Sequence, residues 1–329
     1  MERACKENSI EEQLAKLQFC WEPPELPEHI PQGDMPGDKI SIGAEHIKKA
    51  QIIFRELCGK LPQVLGKSRA GKAVVALCGG SGVGKSEIAS LLAFYFQEAG
   101  IGSYVLSGDN YPRRLPVYND AERLRVFRES GLRAMIQEEC YTEERFSVLQ
   151  KLQKEEKDAD RACIETYPWL SVYQKGGREG LERYLGTPEE INFSEVEHIV
   201  WQFKQGHGKI WLKRMGRDDT QLWFEQVDFS EIRLLFIEWT HGNSDFYQGV
   251  DIPVLLNSTP EETLAHRKQR SRDGKTDSAF TSLVLEIEQE ELKQQAKKAK
   301  IILSKPGELW SYEQYRENMR EKEEMTYGN

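Results

Sequence analysis

The stretch KAVVALCGGSGVGKSEIASLLAFYFQEAG, residues 72–100, decides the fold. Its first part is a short apolar run closed by glycines, the signature of a strand buried on both faces. Its last part carries helical apolar spacing and stops at Gly100, a favoured helix-ending residue. Between them Gly79–Ser86 reads GGSGVGKS and fits GxxxxGK[ST] in the strand-to-helix context that gives the pattern its meaning. Glycines let the backbone curl so that successive N–H groups turn inward around a phosphate. The helix start adds the positive end of its dipole. Lys85 offers an ammonium to the β- and γ-phosphates, and the Ser86 hydroxyl is placed to ligate Mg²⁺. The expected nucleotide-binding residues are therefore Gly80, Ser81, Gly82, Val83, Gly84, Lys85, Ser86 and Glu87, with ATP and Mg²⁺ as the implied ligands.

Outward from this loop the sequence alternates. SYVLS (103–107), RLLFIEW (233–239), IPVLLN (252–257) and KIILS (300–304) read as further buried strands. Thr259-Pro260-Glu261-Glu262 opens a helix, with Pro at the first helical position and Glu set for a capping box. Strands alternating with helices predict a parallel sheet covered on both faces. The expected class is α/β: a three-layer P-loop NTPase fold with a mostly parallel sheet of about five strands. An N-terminal helical arm and an inserted helical cap complete it. The expected boundaries are 1–71 for the arm and helix, and 72–329 for the P-loop domain, with the cap at about 120–230. Residues 1–40, which hold EPPELPEHIPQGDMPGDK, read as an extended arm or linker, and residues 166–230 read as mixed, with aromatics and glycines. SIGAEHIKKAQIIFRELCGK (41–60) reads as an amphipathic helix ending near Gly59.

The second strand ends in Ser107-Gly108-Asp109-Asn110-Tyr111. In open α/β sheets, ligands bind beyond the carboxyl ends of strands, so Asp109 should emerge near the phosphate loop. A carboxylate there can accept a proton from an attacking hydroxyl or hold a metal-bound water; a plain turn is the alternative. The loop GGSGVGKS followed by this strand end resembles the phosphoribulokinase/uridine kinase group of P-loop kinases. SGDNYPRRL also resembles the GDN-x-R stretch of adenylylsulfate kinases. The resemblance implies that Asp109 lies beside an acceptor hydroxyl, with Tyr111 close by.

Residues 113–133 hold Arg113, Arg114, Arg123, Arg125, Arg128 and Arg133 against Asp120, Glu122 and Glu129. Arginine forks suit phosphate or sulfate oxygens, so an anionic acceptor is expected, met first by Arg113 or Arg114; an exposed helix face of alternating charge is the alternative. The segment 191–219 (INFSEVEHIVWQFKQGHGKIWLKRMGRDD) resembles a uridine-kinase element, with Asn192-Phe193 in place of that family's Asp-Phe. Lys213, Arg214 and Arg217 are candidates for its acceptor side, and a surface hairpin is the alternative. Glu238 ends the strand 233–239, where the resemblance implies an acid that orients Mg²⁺ or the acceptor; Trp239 stands where the family has glycine. In LAHRKQRSRDGK (264–275), Arg267, Arg270 and Arg272 resemble the lid arginines that close over a transferring phosphoryl group. His207 and His241 are weaker candidates.

The rest of the sequence excludes other classes. The chain has 329 residues, 39% apolar and 30% charged, with a net charge of −9. General affinity for a nucleic-acid backbone is not expected of so acidic a chain. No apolar stretch nears the roughly 20 residues a membrane span needs. The six cysteines are scattered without a CxxC pair, which argues against a disulfide framework or zinc site and for a reducing cytoplasm. The first residues lack a signal-peptide profile. No N-K-x-D motif for reading guanine is present. The expected activity is transfer of the γ-phosphoryl group of ATP to a hydroxyl of a small molecule. A nucleotide-dependent regulatory protein is the alternative from another class. Homodimerisation is left open.

Overall fold

The computed structural model describes residues 10–30, 32–216, 220–270 and 278–327. Two helices lead, α1 (Ile10–Cys20) and α2 (Ala44–Lys67), followed by β1 (Ala73–Gly79), α3 (Lys85–Glu98) and β2 (Ser103–Ser107). A 3₁₀ turn over Gly108–Asn110 then gives way to α4 (Pro116–Gln137), α5 (Glu143–Lys154), the short α6 (Cys163–Thr166) and α7 (Leu170–Tyr184). Next come α8 (Phe193–Lys204) and the antiparallel pair β3 (Lys209–Met215) and β4 (Leu222–Asp228). The chain finishes through β5 (Leu234–Glu238), β6 (Ile252–Leu256), α9 (Pro260–Arg270), α10 (Ala279–Ala296), β7 (Ile301–Leu303), β8 (Leu309–Trp310) and α11 (Tyr312–Tyr327).

The main sheet has the order β2-β5-β1-β6-β7-β8. All its pairings are parallel except β7 with β8. The expected parallel strands are thus present, and β8 adds an antiparallel edge. β1 and β5 are buried along their whole length, as two-sided cover requires. One face packs on α1, α2 and α3 through Leu14, Phe54, Leu57, Leu91 and Phe236. The other packs on α8 and β3 through Val74, Leu106, Phe193, Phe203 and Ile237. A separate core built on Phe127, Tyr173, Leu149 and Leu181 makes the cap, which α10 joins through Val284 and Ile287.

Three local expectations are corrected. First, α2 does not end near Gly59 but continues to Lys67, through Pro62. Gly59 is an approach point: a β-carbon there would lie 2.6 Å from the Gln18 amide of α1. Buried Leu61 and Leu65 hold the turn across the missing proline N–H. Second, the N-terminal region is not all extended. Ile10, Leu14 and Leu17 recur at helical spacing and dock α1, and Trp21 then stacks near Phe54 and Tyr95 at 4.2 and 4.9 Å between ring centroids. Third, the glycines of 176–180 do not mark a mixed segment but one face of α7. Added β-carbons at Gly177 and Gly180 would meet Phe127 and Ser130 of α4 at 2.5 and 2.1 Å, so the two helices touch backbone to side chain.

Candidate active site

The carboxyl ends of β1, β2 and β5 converge on the phosphate loop, as parallel pairing in register requires. Gly82 and Gly84 have φ of 76° and 94°, the left-handed region that glycine enters without strain. Val83 between them is buried and anchors the loop. Gly79 lies against β6, where a β-carbon would sit 2.7 Å from Leu256 O. Lys85 turns back over the loop, its Nζ donating to Gly80 O at 3.0 Å. Ser81 lies at the loop's tip, and Glu87 is buried in the first turn of α3.

Ser86 Oγ donates to Glu238 Oε2 at 3.1 Å, and Ser107 Oγ donates to Glu238 Oε1 at 2.6 Å. Burial pushes Glu238 up to about 8; the charge of Asp109 adds to this and Lys85 opposes it. A buried carboxylate short of positive charge, next to the loop hydroxyl, is a donor set that a divalent cation suits. Among the described residues no cluster of three or more His, Cys, Asp or Glu forms a metal cage. Mg²⁺ in phosphoryl transfer needs none, because phosphate oxygens and water complete its shell.

Asp109 emerges exposed on the turn after β2. Gly108 is forced by Trp239: a β-carbon there would fall 2.0 Å from the indole. The tryptophan at the end of β5 and the glycine at the end of β2 are therefore complementary. Arg267 of α9 crosses the phosphate loop, its Cγ 2.9 Å from where a Gly82 β-carbon would stand. Its Nη2 donates to Pro260 O at 3.0 Å, while Nε is buried with no hydrogen-bond partner among the described residues. An unsatisfied guanidinium N–H over a phosphate loop fits a phosphate oxygen. Arg270 lies in the last turn of α9, its side chain outside the described residues; Arg217 and Arg272 also lie outside them.

The arginines of the basic stretch meet partners of several kinds. Arg114 pairs with Glu122 at 2.9 Å and donates to the Tyr184 hydroxyl, and Arg113 donates to Pro188 O. Arg123 meets Glu190, Arg125 meets Glu122 and Glu129, Arg128 meets Asp158, and Arg133 meets Glu129. Arg123 and Arg128 thus tie parts of the cap together, whereas Arg125 and Arg133 pair with acids on the exposed face of α4 itself. Tyr111 is fully buried in the core beneath the site, with Lys213 Nζ 5.2 Å from its ring centroid. His207 is exposed beside Trp201, away from the loop.

A buried cluster between the cap, the end of β5 and α10 contains acids that the sequence did not single out. Arg123 Nε and Glu190 Oε1 are 2.7 Å apart, and the Gly186 N–H donates to Glu190 Oε2 at 2.9 Å. Burial alone would raise Glu190, but Arg123, helped by His241 and Gly186, holds it below its ordinary value. His241 follows β5, with Nδ1 3.6 Å from Glu291 Oε2. Burial, opposed by Glu190 and aided by Arg123 and Lys85, lowers it to about 4. Burial pushes Glu291 up to about 8, with Glu288 and Glu190 adding. No local signal marks Glu190 or Glu291; they come from a loop and from α10, remote in sequence.

Sheet order, loop geometry and strand-end acids define a P-loop α/β protein of the kinase fold. No model of a known protein family matches the chain. Over 272 residues, 81% of its length, it is 36% identical to the bifunctional alpha-galactosidase/sucrose kinase AgaSK of Mediterraneibacter gnavus, and it spans 24% of that protein. A protein assigned as a fructose transport system kinase from Silicibacter sp. TM1040 superposes with a TM-score of 0.40 and 18% identity, over 69% of this chain and 85% of that one. One assigned as a uridine kinase from Bacillus stearothermophilus gives 0.33 and 16%, over 75% and 98%. Both structural likenesses are loose. Among the described residues no helix is long and apolar enough to cross a membrane.

Proposed function

We propose that the chain is an ATP-dependent kinase that phosphorylates a hydroxyl of an uncharged carbohydrate. One juxtaposition carries the kinase part: Ser86 and Ser107 share the Glu238 carboxylate, which joins the phosphate loop to the strand end that presents Asp109. Two observations favour a neutral sugar over the anionic acceptor expected from the arginines. Arg123 and Arg128 are engaged within the cap by Glu190 and Asp158, which leaves fewer guanidiniums for an anion. The relative of 36% identity is named for two activities, and only its sucrose kinase activity calls for a triphosphate loop such as this chain has.

In this mechanism Lys85 leaves Gly80 O for the β- and γ-phosphates. Ser86 would hold Mg²⁺ with Glu238 behind it, and the bound cation would neutralise charge on the phosphates. Asp109 accepts the proton of the attacking hydroxyl as the oxygen–phosphorus bond forms and the bond to ADP breaks. Arg267 donates to the transferring group from above Gly82 and shields it from water. The test is acceptor-dependent ADP release, measured with sucrose, other neutral sugars, uridine, a sugar phosphate and adenylylsulfate. Release stimulated by neutral sugars supports the assignment. Release with anionic acceptors alone refutes the carbohydrate part, and ATP turnover indifferent to every acceptor refutes the kinase.

A further inference from the structure

The irregular segment between α1 and α2 does more than connect them. It crosses the carboxyl end of β2 and delivers Asp34 there. Asp34 Oδ1 accepts from the Ser107 N–H at 2.7 Å and from Asn110 Nδ2 at 3.1 Å. Its Oδ2 accepts from the Tyr104 hydroxyl at 3.1 Å and from Arg214 Nη1 at 2.9 Å. The Asp34 and Arg214 side chains are only 6% and 5% exposed. Burial pushes Asp34 up to about 6 against the pull of Arg214, so it is ionised at neutral pH. The preceding Gly33 passes so close that a β-carbon would lie 3.9 Å from Glu238 Oε1.

We propose that Asp34 is a positioning residue for phosphoryl transfer, and that the N-terminal arm is thereby a wall of the active site. The proposal rests on Asp109 serving as the proton acceptor of the kinase described above. Asp109 rides on a glycine-containing turn whose two ends are both held by this clamp. At the near end, Ser107 gives its N–H to Asp34 and its hydroxyl to Glu238. At the far end, Asn110 gives its amide N–H to Asp34, while its Oδ1 accepts from the Met215 N–H at 3.0 Å. The turn is therefore pinned between the arm and the end of β3. The same segment also packs apolar side chains, Ile30 among them, but at the turn itself it brings a carboxylate. A buried ion pair is costly to desolvate and brings little net stability, but its directional contacts fix geometry. Misplacing a reacting group by about 1 Å costs up to roughly 10²-fold in rate.

The experiment compares full-length wild type, Asp34→Ala and Tyr104→Phe, using sucrose as acceptor or, if sucrose is inert, any acceptor from the panel above that the wild type uses. Thermal unfolding and the Kd for Mg·ADP are measured alongside. The expected result for Asp34→Ala is a kcat about 10- to 100-fold lower, with the KM for ATP and the Kd for Mg·ADP within about twofold of wild type. Tyr104→Phe removes one of the four contacts to Asp34 and the bond from Arg214 Nη2, but keeps the ring and the ion pair, and is the milder variant; its kcat should fall in the same direction by about two- to fivefold. An active wild type with folded variants of unchanged kcat overturns the positioning role alone. So does a loss of kcat accompanied by an equal loss of nucleotide affinity, which marks a general structural defect. If Asp34→Ala does not fold, Tyr104→Phe decides by the same criteria. A folded wild type that transfers phosphate to no acceptor overturns the kinase assignment and this inference with it.

Discussion

Replacing Arg123 by Met should destabilise the protein in a way that depends on pH. Arg123 and Glu190 are 18% and 1% exposed at the side chain and 2.7 Å apart, so the ion pair is effectively buried. Removing one partner of such a pair costs about 3–5 kcal/mol because the other charge is stranded. Glu190 keeps the Gly186 N–H, which places the cost near the lower figure, about 3 kcal/mol at pH 8. The sign with pH follows from the carboxylate. In the wild type Glu190 lies below its ordinary value, so its contribution is present above the unfolded value and is lost as pH falls through the folded one. In the variant, burial without the guanidinium lifts Glu190 above the unfolded value of about 4.3, so stability falls as pH rises. Glu291 also loses the opposing effect of Arg123, and His241 loses its repulsion, so both favour proton uptake in the variant. The deficit should therefore shrink to about 1 kcal/mol near pH 4.5, since each unit of pKa change is worth about 1.4 kcal/mol. Urea unfolding followed by circular dichroism at the two pH values measures it. Arg123→Met/Glu190→Gln should recover most of the loss at pH 8. An equal deficit at both pH values, or one below about 0.5 kcal/mol at pH 8, would refute the reasoning.

Asp109→Asn should retain Mg·ATP binding by calorimetry and lose transfer by roughly 10²- to 10⁴-fold, the range for removal of a general base. Chelation with EDTA should abolish transfer, and Ser86→Ala should raise the Mg²⁺ concentration needed for half-maximal rate several-fold, as a titration of rate against Mg²⁺ would show. Gly177→Val places branched carbon where Phe127 already stands 2.5 Å from a first β-carbon, and should lower stability by about 1–3 kcal/mol or more in thermal unfolding.

The phosphate loop was legible because everything it needs is local. Strand, glycines, Lys85, Ser86 and helix lie within one short stretch, and backbone geometry fixes their mutual positions. Glu238 was legible for a related reason: parallel register brings Ser107 opposite it, so strand ends found by apolar pattern meet in space. The arginines of 113–133 were legible as charge but not as contacts. Asp158 and Glu190, which meet Arg128 and Arg123, come from other parts of the cap, and no periodicity links them. Asp34 was hidden more deeply. It sits among prolines and glycines that read as linker, and its partners Ser107 and Arg214 are 73 and 180 residues away. The glycines of α7 show the converse error: residues that usually punctuate a chain were here serving close helix contact.

The charges around the loop constrain what can enter it. Asp109 lies at the strand ends beside Glu238, whose protonated form burial favours, and Glu190 is buried in its pair with Arg123. Lys85 and Arg267 are the cations that touch the phosphate loop itself among the described residues. A bare triphosphate would bring about four negative charges into this company, where a partly desolvated like-charge contact costs several kcal/mol. With Mg²⁺ the added charge is halved, and the cation falls next to the carboxylate that burial has left short of positive charge. The electrostatics around the loop thus favour a triphosphate that arrives with its cation over one that arrives bare.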